Sequence, residues 1–186
     1  MQRRRRIGLI AGLSLTIAAM VGTIATALPA VLNMTTHMST AEEVPVPNVD
    51  AIARNPQGTT VLRLDRAGDL TYRLNVANIE NVTMAHIHLG PPGTAGPIVV
   101  WLYPSEPPFA PTPIPGFFNG PLAFGTITDD DVNFPGNQTL PPVNTVNELL
   151  TQARAGNAYV NVHTIQNGPG EIRGQITARG PGTHQH

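Results

Sequence analysis

In the stretch Asp69-Leu70-Thr71-Tyr72-Arg73-Leu74-Asn75-Val76-Ala77-Asn78, polar and apolar residues alternate without a break from Asp69 to Val76. Leu70, Tyr72, Leu74 and Val76 fall on one side of a two-residue period, and Thr71, Arg73 and Asn75 on the other. A strand with one buried face and one wet face reads this way. Just upstream, Gly58 to Asp65 is a second such run, and Arg66-Ala67-Gly68 between them supplies a turn, so the pair is a hairpin. Downstream, Val82 to Leu89 reads as a strand, Gly90-Pro91-Pro92-Gly93 interrupts, and the apolar run Pro97 to Tyr103 has the character of a strand buried on much of its surface. Leu122 to Thr128, Asn157 to Thr164 and Glu171 to Ala178 add three more, the last two joined by the turn-rich Ile165 to Gly170. Near the start of the domain, Ala41 to Asp50 reads as a strand end followed by a loop. Prolines at 104, 107, 108, 111, 113 and 115 make Pro104 to Gly120 a surface loop, because proline breaks both helices and ladders. One short helix is expected where Thr145-Val146-Asn147-Glu148 has capping-box spacing, Leu149, Leu150 and Ala153 form an apolar stripe, and Gly156 suits the C-terminal cap. The sum is an all-β domain, a two-sheet antiparallel sandwich or a flattened Greek-key barrel, with one short helix in a connection.

Composition narrows the function. Only 12% of the 186 residues are charged and the formal net charge is −1, so no basic surface for nucleic acid is present beyond Arg3 to Arg6. Absence of cysteine excludes disulfides, thiolate metal sites and cysteine nucleophiles. From Ile7 to Leu32 no charged residue occurs, a length sufficient to cross a bilayer, and the preceding arginines would hold the cytoplasmic side. Two readings of residues 1–33 stand: an uncleaved transmembrane anchor, or a signal peptide cut near Ala25-Thr26-Ala27. Either places the folded domain, residues 34–179, outside the cytoplasm, tethered to the cell membrane or secreted. Residues 180–186 read as a disordered tail.

Two strings carry the chemistry: Ala85-His86-Ile87-His88-Leu89-Gly90 and Asn157-Ala158-Tyr159-Val160-Asn161-Val162-His163-Thr164. The strand period puts His86 and His88 on one face with Met84, and Ala85, Ile87 and Leu89 on the core side. In the later strand Tyr159, Asn161 and His163 share a face. If the strands are neighbours, His86, His88 and His163 converge as ligands for copper or zinc with an open position. Glu171 then serves as an outer partner of a ligating histidine. The competing reading makes the histidines half-exposed members of a sheet face, with Asn161, Glu171 and Arg173 as a polar ladder that fixes register. Asp129-Asp130-Asp131 reads as a solvated turn, and no nucleophile elbow, phosphate loop or zinc-protease helix is present, which argues against an enzyme.

The two strings, extended by Gly96-Pro97-Ile98-Val99-Val100 and by Gly170-Glu171-Ile172-Arg173-Gly174-Gln175, resemble the CHRD (chordin-type) domain. Glu43 to Pro47 resembles that family's N-terminal signature and Gly125 to Thr128 its central one, so the resemblance spans about residues 37 to 178. It implies an extracellular β-sandwich, immunoglobulin-like or superoxide-dismutase-like in build, that acts as a non-catalytic binding or structural module. The implied partners are an extracellular protein or a second copy, with the membrane engaged through the N-terminal segment and Met34 to Thr40 as an edge for self-association. The His-x-His strand is also similar to the copper-ligand strand of Cu,Zn superoxide dismutases. Those enzymes use further ligands and a disulfide, whereas this chain offers a fourth histidine only at His37 and no cysteine.

Overall fold

In the computed structural model, which describes residues 32–47 and 55–178, one strand organises the rest. β3, Leu70–Leu89, runs for 20 residues, several times the usual strand length. It joins the expected Asp69–Asn78 and Val82–Leu89 runs into one element. Its N-terminal half pairs antiparallel with β2, Gln57–Leu64, and with β5, Ile114–Ile127; its C-terminal half pairs with β4, Ile98–Tyr103, and with β6, Ala158–Thr164. Between the halves Asn78 and Asn81 take φ of 56° and 55°, a region asparagine tolerates better than most residues, and the register with β5 shifts there. Asn81 Oδ1 accepts from the Gly116 N–H at 2.8 Å, and Asn119 Oδ1 accepts from the Asn78 N–H at 2.8 Å. The backbone groups freed by the bend are therefore recovered by side chains.

β1, Leu32–Ser39, pairs with β2 along its whole length and touches β7, Ile172–Gln175, through the single register pair Ser39–Arg173; β7 pairs with β6. The path β2–β1–β7–β6–β3 therefore returns to β2, and the sheet closes into a barrel-like ring. Of the two expected builds, the closed ring is nearer the flattened barrel than the pair of separate sheets. β3 is long enough to belong to both halves, so hydrogen bonding continues through the bend instead of stopping at a sandwich edge.

The helix α1, Val146–Arg154, forms where expected, with the Thr145 side chain accepting from the Glu148 N–H at 3.2 Å and Gly156 at φ 76°. The reciprocal bond lands one residue early, from Asn144 N–H to Glu148 Oε2 at 2.8 Å. Val146, Leu149, Leu150 and Ala153 face the core, which also holds Leu62, Leu74, Ile79, Ala85, Ile87, Leu102, Val160 and Val162. Asp129 and Asp131 are structural: Asp129 Oδ1 accepts from Val146 N–H at 2.7 Å, and Asp131 Oδ2 closes the turn that follows β5.

Three expectations change in detail. The proline-rich stretch is a loop only as far as Pro113, because β5 begins at Ile114 and carries Pro115 and Pro121 in a strand that β3 pairs with irregularly. Glu171–Ala178 breaks at Ile176 into β7 and the two-residue β8, Thr177–Ala178, which pairs with β1. Within the chain, β1 pairs with β8 at Met34 and Thr35 and with β7 at Ser39, besides its full-length pairing with β2. β1 also begins at Leu32, so the end of the apolar run belongs to the domain. Residues 1–31 and 179–186, which hold the rest of the expected anchor and the tail, lie outside the described residues, and among those described no helix is long and apolar enough to cross a membrane.

Candidate metal centre

β3 and β6 are neighbours, and their register sets Met84 opposite His163, His86 opposite Asn161 and His88 opposite Tyr159. Ala85, Ile87 and Leu89 on β3 and Ala158, Val160 and Val162 on β6 pack into the hydrophobic core, as the two-residue period requires. The three histidines share the opposite face, which is not half-exposed. His86, His88 and His163 retain 0%, 7% and 5% of their accessible surface. This removes the reading of a wet sheet face.

Their ring nitrogens converge: one ligand atom from each lies within 4.8 Å of the others. His88 Nδ1 is 2.9 Å from the Gly96 carbonyl and His163 Nδ1 is 2.9 Å from the Gly168 carbonyl. A carbonyl can only accept, so both Nδ1 atoms carry the proton and both Nε2 atoms carry a lone pair. His86 Nδ1 stands 3.0 Å from His163 Nε2, and the lone pair there makes His86 Nδ1 the donor. Nε2 of His86 and Nε2 of His88 are then buried acceptors without a partner. Each such atom costs about 1–3 kcal/mol. Burial, then the charges of His163 and His88, push the pKa of His86 down to about 2. Burial lowers His88 to about 4 against the opposing bond to Gly96, and burial likewise lowers His163. All three rings are therefore neutral at physiological pH, the state in which imidazole binds metals.

The surroundings hold this arrangement. Tyr159 stacks on His88 with centroids 5.0 Å apart and planes 11° apart, and its hydroxyl accepts from the Gly96 N–H at 3.0 Å. Trp101, opposite His86 on β4, meets that ring edge to face at 4.2 Å. Gly96 cannot be replaced in place, because a Cβ there would run into the Leu89 carbonyl. Arg173 is 1% exposed, donates to the carbonyls of Thr94 and Pro91 at 2.9 Å each, and lies 3.5 Å over the Tyr159 ring. It thus braces the 90–97 loop that carries the Gly96 carbonyl.

The other expected site residues separate. Glu171 touches no histidine ring in the hydrogen-bond network: its Oε2 accepts from Thr164, Gln166 and Asn167 at 2.6, 3.0 and 2.9 Å, closing its own turn. The outer partners of the histidines are the two glycine carbonyls instead. Asn161 donates to Glu43 Oε1 at 3.2 Å, so Asn161, Glu171 and Arg173 do not form one ladder even though Asn161 and Arg173 are register partners. His37 is exposed on β1 opposite Thr59 and stands outside the cluster. His184 and His186 lie outside the described residues. Glu43, which the sequence offered only as part of a signature, is buried with its pKa raised to about 7, chiefly by loss of solvent.

These motifs sit where a known domain family carries them, and that family, the CHRD domain, matches residues 34–176. The chain belongs to the CHRD domain family. No curated protein and no solved structure matches it. The CHRD match runs from β1 to Ile176, so the barrel-like ring and all three histidines lie inside it.

Proposed function

We propose that this CHRD domain is a transition-metal-binding module working outside the cytoplasm, with His86, His88 and His163 holding copper or zinc. The observation that carries the reading is the pair of buried, unpartnered Nε2 atoms beside the 3.0 Å contact of His86 Nδ1 and His163 Nε2. Two nitrogens on one tetrahedral ion with bonds of 2.0–2.1 Å stand about 3.3 Å apart, close to that contact. The wider spread, up to 4.8 Å, calls for the rings to close by up to about 1.5 Å on loading. To hold an ion, His86 would move its proton from Nδ1 to Nε2 or turn Nε2 to the ion, and the other two rings would present Nε2 without changing tautomer. Both glycine carbonyls then play the part that outer partners play for ligating histidines.

The location is supported by Arg3 to Arg6, the uncharged run that follows and the family, whose members are typically extracellular. A module of this kind captures or delivers an ion at the cell surface, as a membrane-tethered or a secreted protein.

The test is metal loading of tag-free full-length chain, read by elemental analysis and by fluorescence of Trp101, the one tryptophan of the sequence. One equivalent of copper or zinc per chain is expected, with Cu(II) quenching Trp101 through the adjoining His86 ring. His163→Ala and His86→Ala should each remove it. Substoichiometric metal in the wild type after loading refutes the proposal.

A further inference from the structure

The rings around the histidines carry a charge that none of the ligands needs. Arg173 on β7 and His88 on β3 approach Tyr159 from opposite sides of β6, at 3.5 Å and 5.0 Å from its ring. The result is a stack of guanidinium, phenol and imidazole. The hydrogen bonds of Arg173 go to neutral oxygens: the carbonyls of Thr94 and Pro91 and, at 3.5 Å, Oε1 of Gln175. Neither of the two buried carboxyls nearby is hydrogen-bonded to Arg173. Glu171 is committed to Thr164, Gln166 and Asn167. Glu43 faces Asn161, and its Oε2 and Asn161 Oδ1 are both buried acceptors pressed against Gly170, each 2.5 Å from where a Cβ would stand. A proton on Oε2 gives this buried pair the donor it lacks, so burial against Asn161 favours the neutral acid of Glu43.

We propose that the site is set for a monovalent ion, Cu(I), over divalent ions, and that Arg173 is the residue that sets this preference. The inference rests on the metal-binding reading above. Three neutral imidazoles bring no negative charge to offset an ion, and a fixed cation repels a divalent ion twice as strongly as a monovalent one. Imidazole suits copper and zinc alike, so in this donor set the surrounding charge becomes the discriminator. With its pKa raised to about 7, Glu43 is a neutral neighbour of Arg173 below that pH and an opposing charge above it.

The experiment compares full-length wild type, Arg173→Lys, Arg173→Met and Glu43→Gln. Cu(I) affinity is read anaerobically against a chromophoric chelator, and Zn(II) affinity against a zinc dye. Arg173→Lys should keep the wild-type ratio of the two affinities, and Arg173→Met should shift it about tenfold toward Zn(II). Glu43→Gln, which needs no packing change, should shift the ratio toward Cu(I) at pH 8, where wild-type Glu43 is largely charged, and leave it unchanged at pH 6. A wild type that binds Zn(II) more tightly than Cu(I) overturns the proposal, as does Arg173→Met weakening both ions by one factor. If the wild type binds neither ion, the metal-binding reading itself has failed; if it binds both and the variant ratios do not move, only the role of Arg173 has failed.

Discussion

Replacing Glu43 by Gln should stabilise the domain above about pH 4.5, with the full effect reached above about pH 7. Glu43 is 3% exposed, with Oε1 accepting from the Val44 N–H at 2.9 Å and from Asn161 Nδ2 at 3.2 Å, while Oε2 and Asn161 Oδ1 lack partners. Glutamine reproduces the accepting oxygen and turns an N–H donor toward the orphaned Asn161 oxygen, as the protonated acid does. The folded pKa is about 7 against a usual 4.5. A raised acid means that the folded state binds more protons than the unfolded chain between those values, so wild-type stability falls as pH rises through that window. Two and a half units correspond to about 3 kcal/mol. The variant has no such loss. Urea unfolding of both proteins should give near-equal stability at pH 4.5 and a gap approaching about 3 kcal/mol at pH 8, or about 10 °C in Tm for a domain of this size. A gap that is the same at both pH values, or a variant less stable than wild type at pH 8, refutes the neutral acid–amide pair.

The histidines impose the opposite slope, best measured in the Glu43→Gln background. A depressed base gives stability that is present above the usual 6.5 and lost as pH falls toward the folded pKa. His88 alone, at about 4, should therefore remove about 3 kcal/mol between pH 6.5 and 4; a urea midpoint that holds constant across that range would disprove neutral burial. Gly96→Ala forces the 90–97 loop away from the Leu89 carbonyl and withdraws the acceptor of His88, so metal affinity measured by competition should drop 10- to 100-fold. An alanine variant that binds as tightly as wild type would show that the carbonyl does not hold the ring.

The alternation at 69–78 was enough to find β3, and the caps at Thr145 and Gly156 were enough to find α1, because both signals are local. Closure was legible only as one of two alternatives, a flattened barrel beside a two-sheet sandwich. It depends on residues 78 to 82, where two asparagines at positive φ bend β3 without ending it; in sequence they look like the boundary between two strands. Pro115 misled for a related reason. Proline is excluded from a regular ladder, but β5 pairs with β3 across three register shifts, and irregular pairing leaves positions that need no N–H.

At the site, a two-residue period told which face the histidines share but not what covers that face. Asn161 was read as one rung of a polar ladder with Glu171 and Arg173, yet it is 2% exposed and its amide donates to Glu43. The partners that fix the rings are backbone carbonyls of Gly96 and Gly168, and a carbonyl leaves no mark in a sequence. What does leave a mark is the glycine. Gly96 stands where a Cβ would meet the Leu89 carbonyl, and Gly170 where it would meet Glu43 and Asn161, so each marks a loop pressed against the polar layer of the β3–β6 strands. A histidine strand followed by a glycine loop therefore says more about a preformed site than the histidines do alone. The loop fixes the proton on Nδ1, and a fixed Nδ1 proton turns a sheet histidine into a ligand with its lone pair already aimed.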